Sequence, residues 1–95
     1  MVINYSTSVL KVLSDIVNYV ESMNTYGAGD RWLLKLELFL QKSLRNPSTI
    51  KLCNSRTFYN KGLRCIQFND WVIGFTFSNN EVLIEAIIHS SNITD

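Results

Sequence analysis

LRCIQFNDWVIGFTFSNNEVLIEAIIH, residues 63–89, decides how this chain folds. Three apolar runs, 63–68, 71–77 and 82–89, are separated by Asn69-Asp70 and by Ser78-Asn79-Asn80. Runs rich in Ile, Val, Phe and Trp and bounded by Asn, Asp and Ser read as strands joined by short turns. They predict a three-stranded antiparallel meander. Side chains alternate between faces along a strand, so the runs can be assigned sides. In the second run Trp71, Ile73, Phe75 and Phe77 share one face, and Val72, Gly74 and Thr76 the other. In the third, Val82, Ile84, Ala86 and Ile88 oppose Leu83, Glu85, Ile87 and His89. The bulky sets are expected to meet the rest of the core. If Leu63 and Cys65 also point inward, Arg64, Ile66 and Phe68 join Glu85 and His89 on an open face around Gly74. A glycine there leaves room for something to approach. Ile66, Phe68, Leu83 and Ile87 on that face would invite a protein partner.

Upstream of the meander the hydrophobic period is helical. Residues 2–5 form a short β-type run, and Ser6-Thr7-Ser8 supply N-cap residues. Val9, Leu10, Val12, Leu13, Ile16, Val17, Val20 and Met23 then recur at helical spacing, predicting an amphipathic helix over 7–23. Residues 24–30 hold two glycines and read as a turn. A second helix is predicted over 28–45, with Leu33, Leu36, Phe39 (or Leu40) and Leu44 inward. Trp32, Leu34 and Leu38 widen its apolar surface beyond an ordinary stripe. Asn46-Pro47 ends it, because proline lacks the helical donor. Residues 50–58 read as irregular or weakly extended. The whole chain, 1–95, is expected to be one α+β domain: a short N-terminal strand, a helical hairpin and the meander.

The 95 residues are 46% hydrophobic and 18% charged, values of a globular chain able to bury one core. The longest uncharged apolar stretch, 71–77, is too short to span a bilayer. The first residues have no basic or apolar signal pattern, so a cytoplasmic location is expected. Cys53 and Cys65 are the only cysteines and form no C-x-x-C pair. In a cytoplasm the default for them is two reduced thiols, with a disulfide as the alternative. His89 is the only histidine, which leaves too few soft ligands for zinc. No metal or other cofactor is expected. The net charge of +1 hides an asymmetry: Lys42, Arg45, Lys51, Arg56, Lys61 and Arg64 carry +6 without an acid between them, against −5 elsewhere. Such a stripe suggests a local anionic partner.

The short strand, the helical hairpin, Gly62-Leu-Arg64-Cys-Ile-Gln-Phe68, the compact turn and a last strand closing on Ile87-Ile-His89 resemble the RelE/ParE superfamily of bacterial toxins. The resemblance covers nearly the whole chain in element order, spacing and size. It implies the toxin of a type II toxin–antitoxin pair, neutralised by a cognate antitoxin protein. RelE-like members enter the ribosome and cleave mRNA as metal-independent endoribonucleases (mRNA interferases). The ribosome-dependent mRNA endonuclease is the expected activity; the alternatives are a ParE-like member, which blocks DNA gyrase without catalysis, and a degenerate member that retains only antitoxin binding. By resemblance Arg64 takes the scissile phosphate and His89 the acid–base role. These residue types suit the chemistry: guanidinium donors match phosphate oxygens, and imidazole titrates near neutrality. Lys51, Arg56 and Lys61 are the expected RNA-backbone contacts. One departure is the tail, Ser90-Ser-Asn-Ile-Thr-Asp95, which lacks the basic and aromatic residues common after the last strand of RelE-like nucleases.

Overall fold

The computed structural model describes residues 2–93. Met1 and the last two positions of the tail, which the single-domain reading includes, lie outside the described residues. The elements are β1 (Val2–Tyr5), α1 (Thr7–Met23), α2 (Ala28–Ser43), α3 (Arg56–Asn60), β2 (Arg64–Phe68), β3 (Trp71–Ser78) and β4 (Glu81–His89). Short 3-10 turns, Pro47–Thr49 and Ser90–Asn92, follow α2 and β4.

The sheet order is β1-β4-β3-β2. The three C-terminal strands form the expected meander, with Asn69 (φ 52°) and Asn79 (φ 54°) in the left-handed region at its two turns. Asparagine tolerates that conformation better than most residues. The N-terminal strand does not stand apart. It pairs parallel with β4, Ile3 opposite Val82 and Tyr5 opposite Ile84, so the chain is α+β with a four-stranded mixed sheet. Ile3 and Tyr5 pack on the same core as those two partners, and β1 covers an edge that β4 would otherwise expose.

α1 starts where the Ser6 hydroxyl accepts the Val9 amide proton at 3.2 Å. α2 begins without such a cap of its own. Gly27 turns the chain at φ 85°, and the Glu21 carboxylate reaches over from α1 to accept from the Gly27 amide at 2.8 Å and the Gly29 amide at 2.9 Å. Two donors that a helix start leaves unpaired are satisfied by the neighbouring helix. Gly29 is required for this contact: a Cβ there would lie 2.5 Å from the Val17 carbonyl oxygen.

The same two amides, Gly29 first and then Gly27, hold the Glu21 carboxyl below its ordinary pKa of 4.5. A depressed folded-state pKa contributes stability that is complete above the ordinary value and is lost as pH falls through the folded one. Chemical denaturation at pH 7 and pH 3 should therefore show a smaller loss of stability in Glu21→Gln than in the parent. Equal losses would separate the clamp from the acid response.

The helices cover one side of the sheet. Val9, Leu13 and Ile16 of α1 and Leu36, Leu40 and Leu44 meet Phe68, Ile73, Phe75, Val82, Ile84 and Ile87. α3, which overlaps the end of the stretch 50–58 expected to be irregular or weakly extended, is one short turn ended by Gly62 (φ 73°), whose amide bonds the Tyr59 carbonyl. Left-handed glycine is the common way to stop a helix.

Candidate functional site

The register of β4 on β3 shifts between Gly74 and Phe75: Gly74 faces Ala86, but Phe75 faces Ile84. Glu85 is the extra residue of a β-bulge, and past a bulge the two faces of a strand exchange. Val82 and Ile84 face the helices before it, and Ile87 and His89 face them after it. Ile87 is in the core, and the His89 ring stands edge-on to Trp71 at 5.2 Å. The expectation of His89 and Ile87 on the open face is corrected by this one residue. The imidazole Nδ1 is also engaged, 2.7 Å from the Ser91 hydroxyl and accepting the Ser91 amide at 3.2 Å.

Arg64 also faces the helix side. It lies opposite Phe75, as Ile66 lies opposite Ile73 and Phe68 opposite Trp71, while Cys65 and Gln67 take the outer face. The condition that would have turned Arg64 outward, Cys65 inward, is not met. The guanidinium sits 5.3 Å from the Phe77 ring centroid and donates to the carbonyls of Ile50 and Ser48. Arg64 thus ties the segment after α2 to the sheet.

Arg64 and His89 therefore share a face without sharing a site. Arg64 belongs to β2 opposite Phe75, and His89 to β4 opposite Trp71, with buried Ile73 between those positions. Four residues of strand separate the two registers, about 13 Å along β3, and the residues flank it on opposite sides. The expected action of both on one phosphate has no support in this geometry. Glu85 lies apart from both, accepting from the Thr76 hydroxyl at 2.7 Å. The space beside Gly74 is filled by the chain itself: a Cβ there would be 3.0 Å from Leu63 Cδ1, and Leu63 is 3% exposed.

Lys51, Arg56 and Lys61, the expected RNA contacts, are all exposed, as are Lys42 and Arg45. Lys51 adjoins a short pairing of 51–53 against 63–65, in which the Cys53 amide bonds the Leu63 carbonyl at 2.9 Å and the Cys65 amide the Lys51 carbonyl at 3.4 Å. This pairing brings the Cα atoms of Cys53 and Cys65 to 4.8 Å, and the two are joined as a disulfide. The expectation of two reduced thiols is corrected, and the disulfide given as its alternative is the state found. Among the described residues no His, Cys, Asp and Glu groups of three could hold a metal, and no helix is long and apolar enough to cross a membrane.

The chain matches no protein-family model and no curated protein.

Among the described residues, two grooves flank the helices. One, of about 570 Å³, runs between α1 and the β3–β4 end of the sheet, lined by Val12, Ile16, Tyr19, Val20, Trp71 and His89. The other, of about 550 Å³, lies between the end of α2 and β1, with Ile3, Leu38 and Leu44 flanked by Gln41, Lys42 and Arg45. Neither brings together a nucleophile, a base and an oxyanion donor. Both have the apolar floor and polar rim of a protein-binding surface. The partner-binding residues expected from the sequence are redistributed accordingly. Phe68 and Ile87 are buried, and Trp32 stacks edge-on to Phe68 and Trp71. Leu34 and Leu38 are more than half exposed and Leu83 is 38% exposed, while Leu10, which the helical spacing of α1 groups with the core stripe, is also more than half exposed. Val12, Ile16 and Val20 of the α1 groove belong to the apolar stripe that the sequence reads as core, and Tyr19 falls outside that stripe, where nothing in the sequence singles it out.

Proposed function

We propose that this chain is the toxin of a type II toxin–antitoxin pair, of the RelE/ParE type, acting by binding its target rather than by cutting RNA. Its target on this reading is DNA gyrase, as for ParE-like members, and its neutralising partner is a cognate antitoxin. Support for the toxin part comes from the sequence resemblance and from the element order of strand, helical hairpin and meander. The observation that carries binding over cleavage is the separation of Arg64, opposite Phe75, from His89, opposite Trp71: the two flank β3 on opposite sides at registers four residues apart, and the His89 ring is packed on Trp71. The antitoxin is expected on the groove beside Leu38, where Lys42 and Arg45 favour an acidic segment.

The endonuclease reading stays second because of one feature, the exposed cations Lys51, Arg56 and Lys61, which suit an RNA backbone. Inducible expression in a bacterium distinguishes the two. Binding to gyrase should arrest growth with DNA synthesis falling before protein synthesis and mRNA left intact. Protein synthesis falling first, with new mRNA ends, would support the nuclease. Undisturbed growth would remove the toxin reading altogether.

A further inference from the structure

We propose that the Cys53–Cys65 bond is a thiol–disulfide exchange site, attacked at the Cys65 sulfur by a small anionic thiol of the glutathione class. Its opening releases the basic loop 54–62 from the sheet. The proposal goes beyond the toxin reading and holds for either target.

The two sulfurs sit in different surroundings. Cys53 is 2% exposed, whereas Cys65 is half-buried on the outer face of β2, away from the helices. Cys65 lines a groove of about 340 Å³ together with Asn54, Ser55, Gln67, Val72 and Ile93. Exchange depends on access to one particular sulfur, so the groove selects which one is attacked. The floor is apolar at Val72 and Ile93, and Asn54 and Gln67 stand at the rim. The surrounding segment bears exposed Lys51, Arg56 and Lys61, and no acidic residue lies between 42 and 64. That field favours an anionic thiol over a neutral one.

The chemistry balances without a metal or cofactor. The thiolate of the small molecule forms a bond to Cys65 Sγ, and the Cys53–Cys65 bond breaks with its electron pair going to Cys53, which takes a proton from water. A second thiolate then attacks the sulfur of the small molecule. It expels Cys65 as a thiolate and leaves as a small disulfide, so two thiols are oxidised while the protein gains two electrons. Running the sequence backwards with that small disulfide as oxidant closes the bond again. Once it is open, the covalent tie at the base of loop 54–62 is gone, and the Cys53–Leu63 and Lys51–Cys65 backbone hydrogen bonds remain there with Leu63 over Gly74.

The test uses the whole oxidised chain. It is mixed with reduced glutathione, quenched with an alkylating agent at short times and mapped by peptide mass spectrometry. Glutathione should be found on Cys65 in about tenfold or greater excess over Cys53. Cysteamine, a cationic thiol, should open the bond more slowly than glutathione at low salt and at matched thiolate concentration. Hydrogen exchange of the reduced protein should accelerate across 54–62 with β3 and β4 unchanged. Glutathione on Cys53, or equally on both cysteines, overturns the site. Equal rates for the two thiols overturn the electrostatic selection, and a loop equally protected before and after reduction overturns the release.

Discussion

Phe75→Ala should lower the unfolding free energy by about 3–5 kcal/mol, the cost of emptying a fully enclosed aromatic site. Phe75 is 0% exposed and sits at the point where the sheet changes register, opposite both Arg64 and Ile84. Both helices bring buried residues to the cluster around it, Val9, Leu13 and Ile16 from one and Leu36 and Leu40 from the other. The site cannot collapse easily, because the ring lies on the middle of a strand bonded on both sides. Urea denaturation measures the loss. A change below about 1 kcal/mol, the ordinary size for a surface substitution, would mean that this ring is not enclosed.

Removing the disulfide, by a Cys53→Ala/Cys65→Ala variant, should cost about 3 kcal/mol at 25 °C, the loop-closure entropy returned to an unfolded chain by freeing a loop of this length. The bond spans 12 residues and anchors the edge pairing of 51–53 on 63–65. Because Arg64 also holds this segment, through the carbonyls of Ile50 and Ser48, the fold itself should survive. Parallel denaturation of parent and variant under oxidising conditions gives the difference. No difference would mean that the bond adds nothing to the native fold. Loss of cooperative unfolding would mean that Arg64 does not hold the segment alone.

How much of this was legible in the sequence depends on what each residue could distinguish. The strand ends and both turns of the meander were readable because Asn69-Asp70 and Asn79-Asn80 interrupt apolar runs sharply. The helices were readable because Val9, Leu13, Ile16, Leu36 and Leu40 keep a clean period. The faces of β2 and of the end of β4 were not. Ala86, Ile87 and Ile88 are all apolar, so either parity buries an isoleucine, and nothing local marks Glu85 as the extra residue. Leu63, Cys65, Ile66 and Phe68 leave β2 equally ambiguous, and the wrong choice carried Arg64 to the wrong side. Leu63 is inward in a different sense, covering Gly74 from the outer face. The cysteine pairing depends on a backbone bridge between 52 and 64 that no spacing rule signals.

The claim that matters most for function is that Arg64 and His89 do not form one catalytic site. Single-turnover incubation with ribosome-bound mRNA tests it, using the parent, Arg64→Lys and His89→Gln, with each variant's folding checked by circular dichroism. Intact mRNA is expected in all three reactions, with growth arrest retained by His89→Gln on expression. Cleavage by the parent that is lost in both folded variants would contradict it, because two residues on opposite sides of β3 would then be acting on one phosphate.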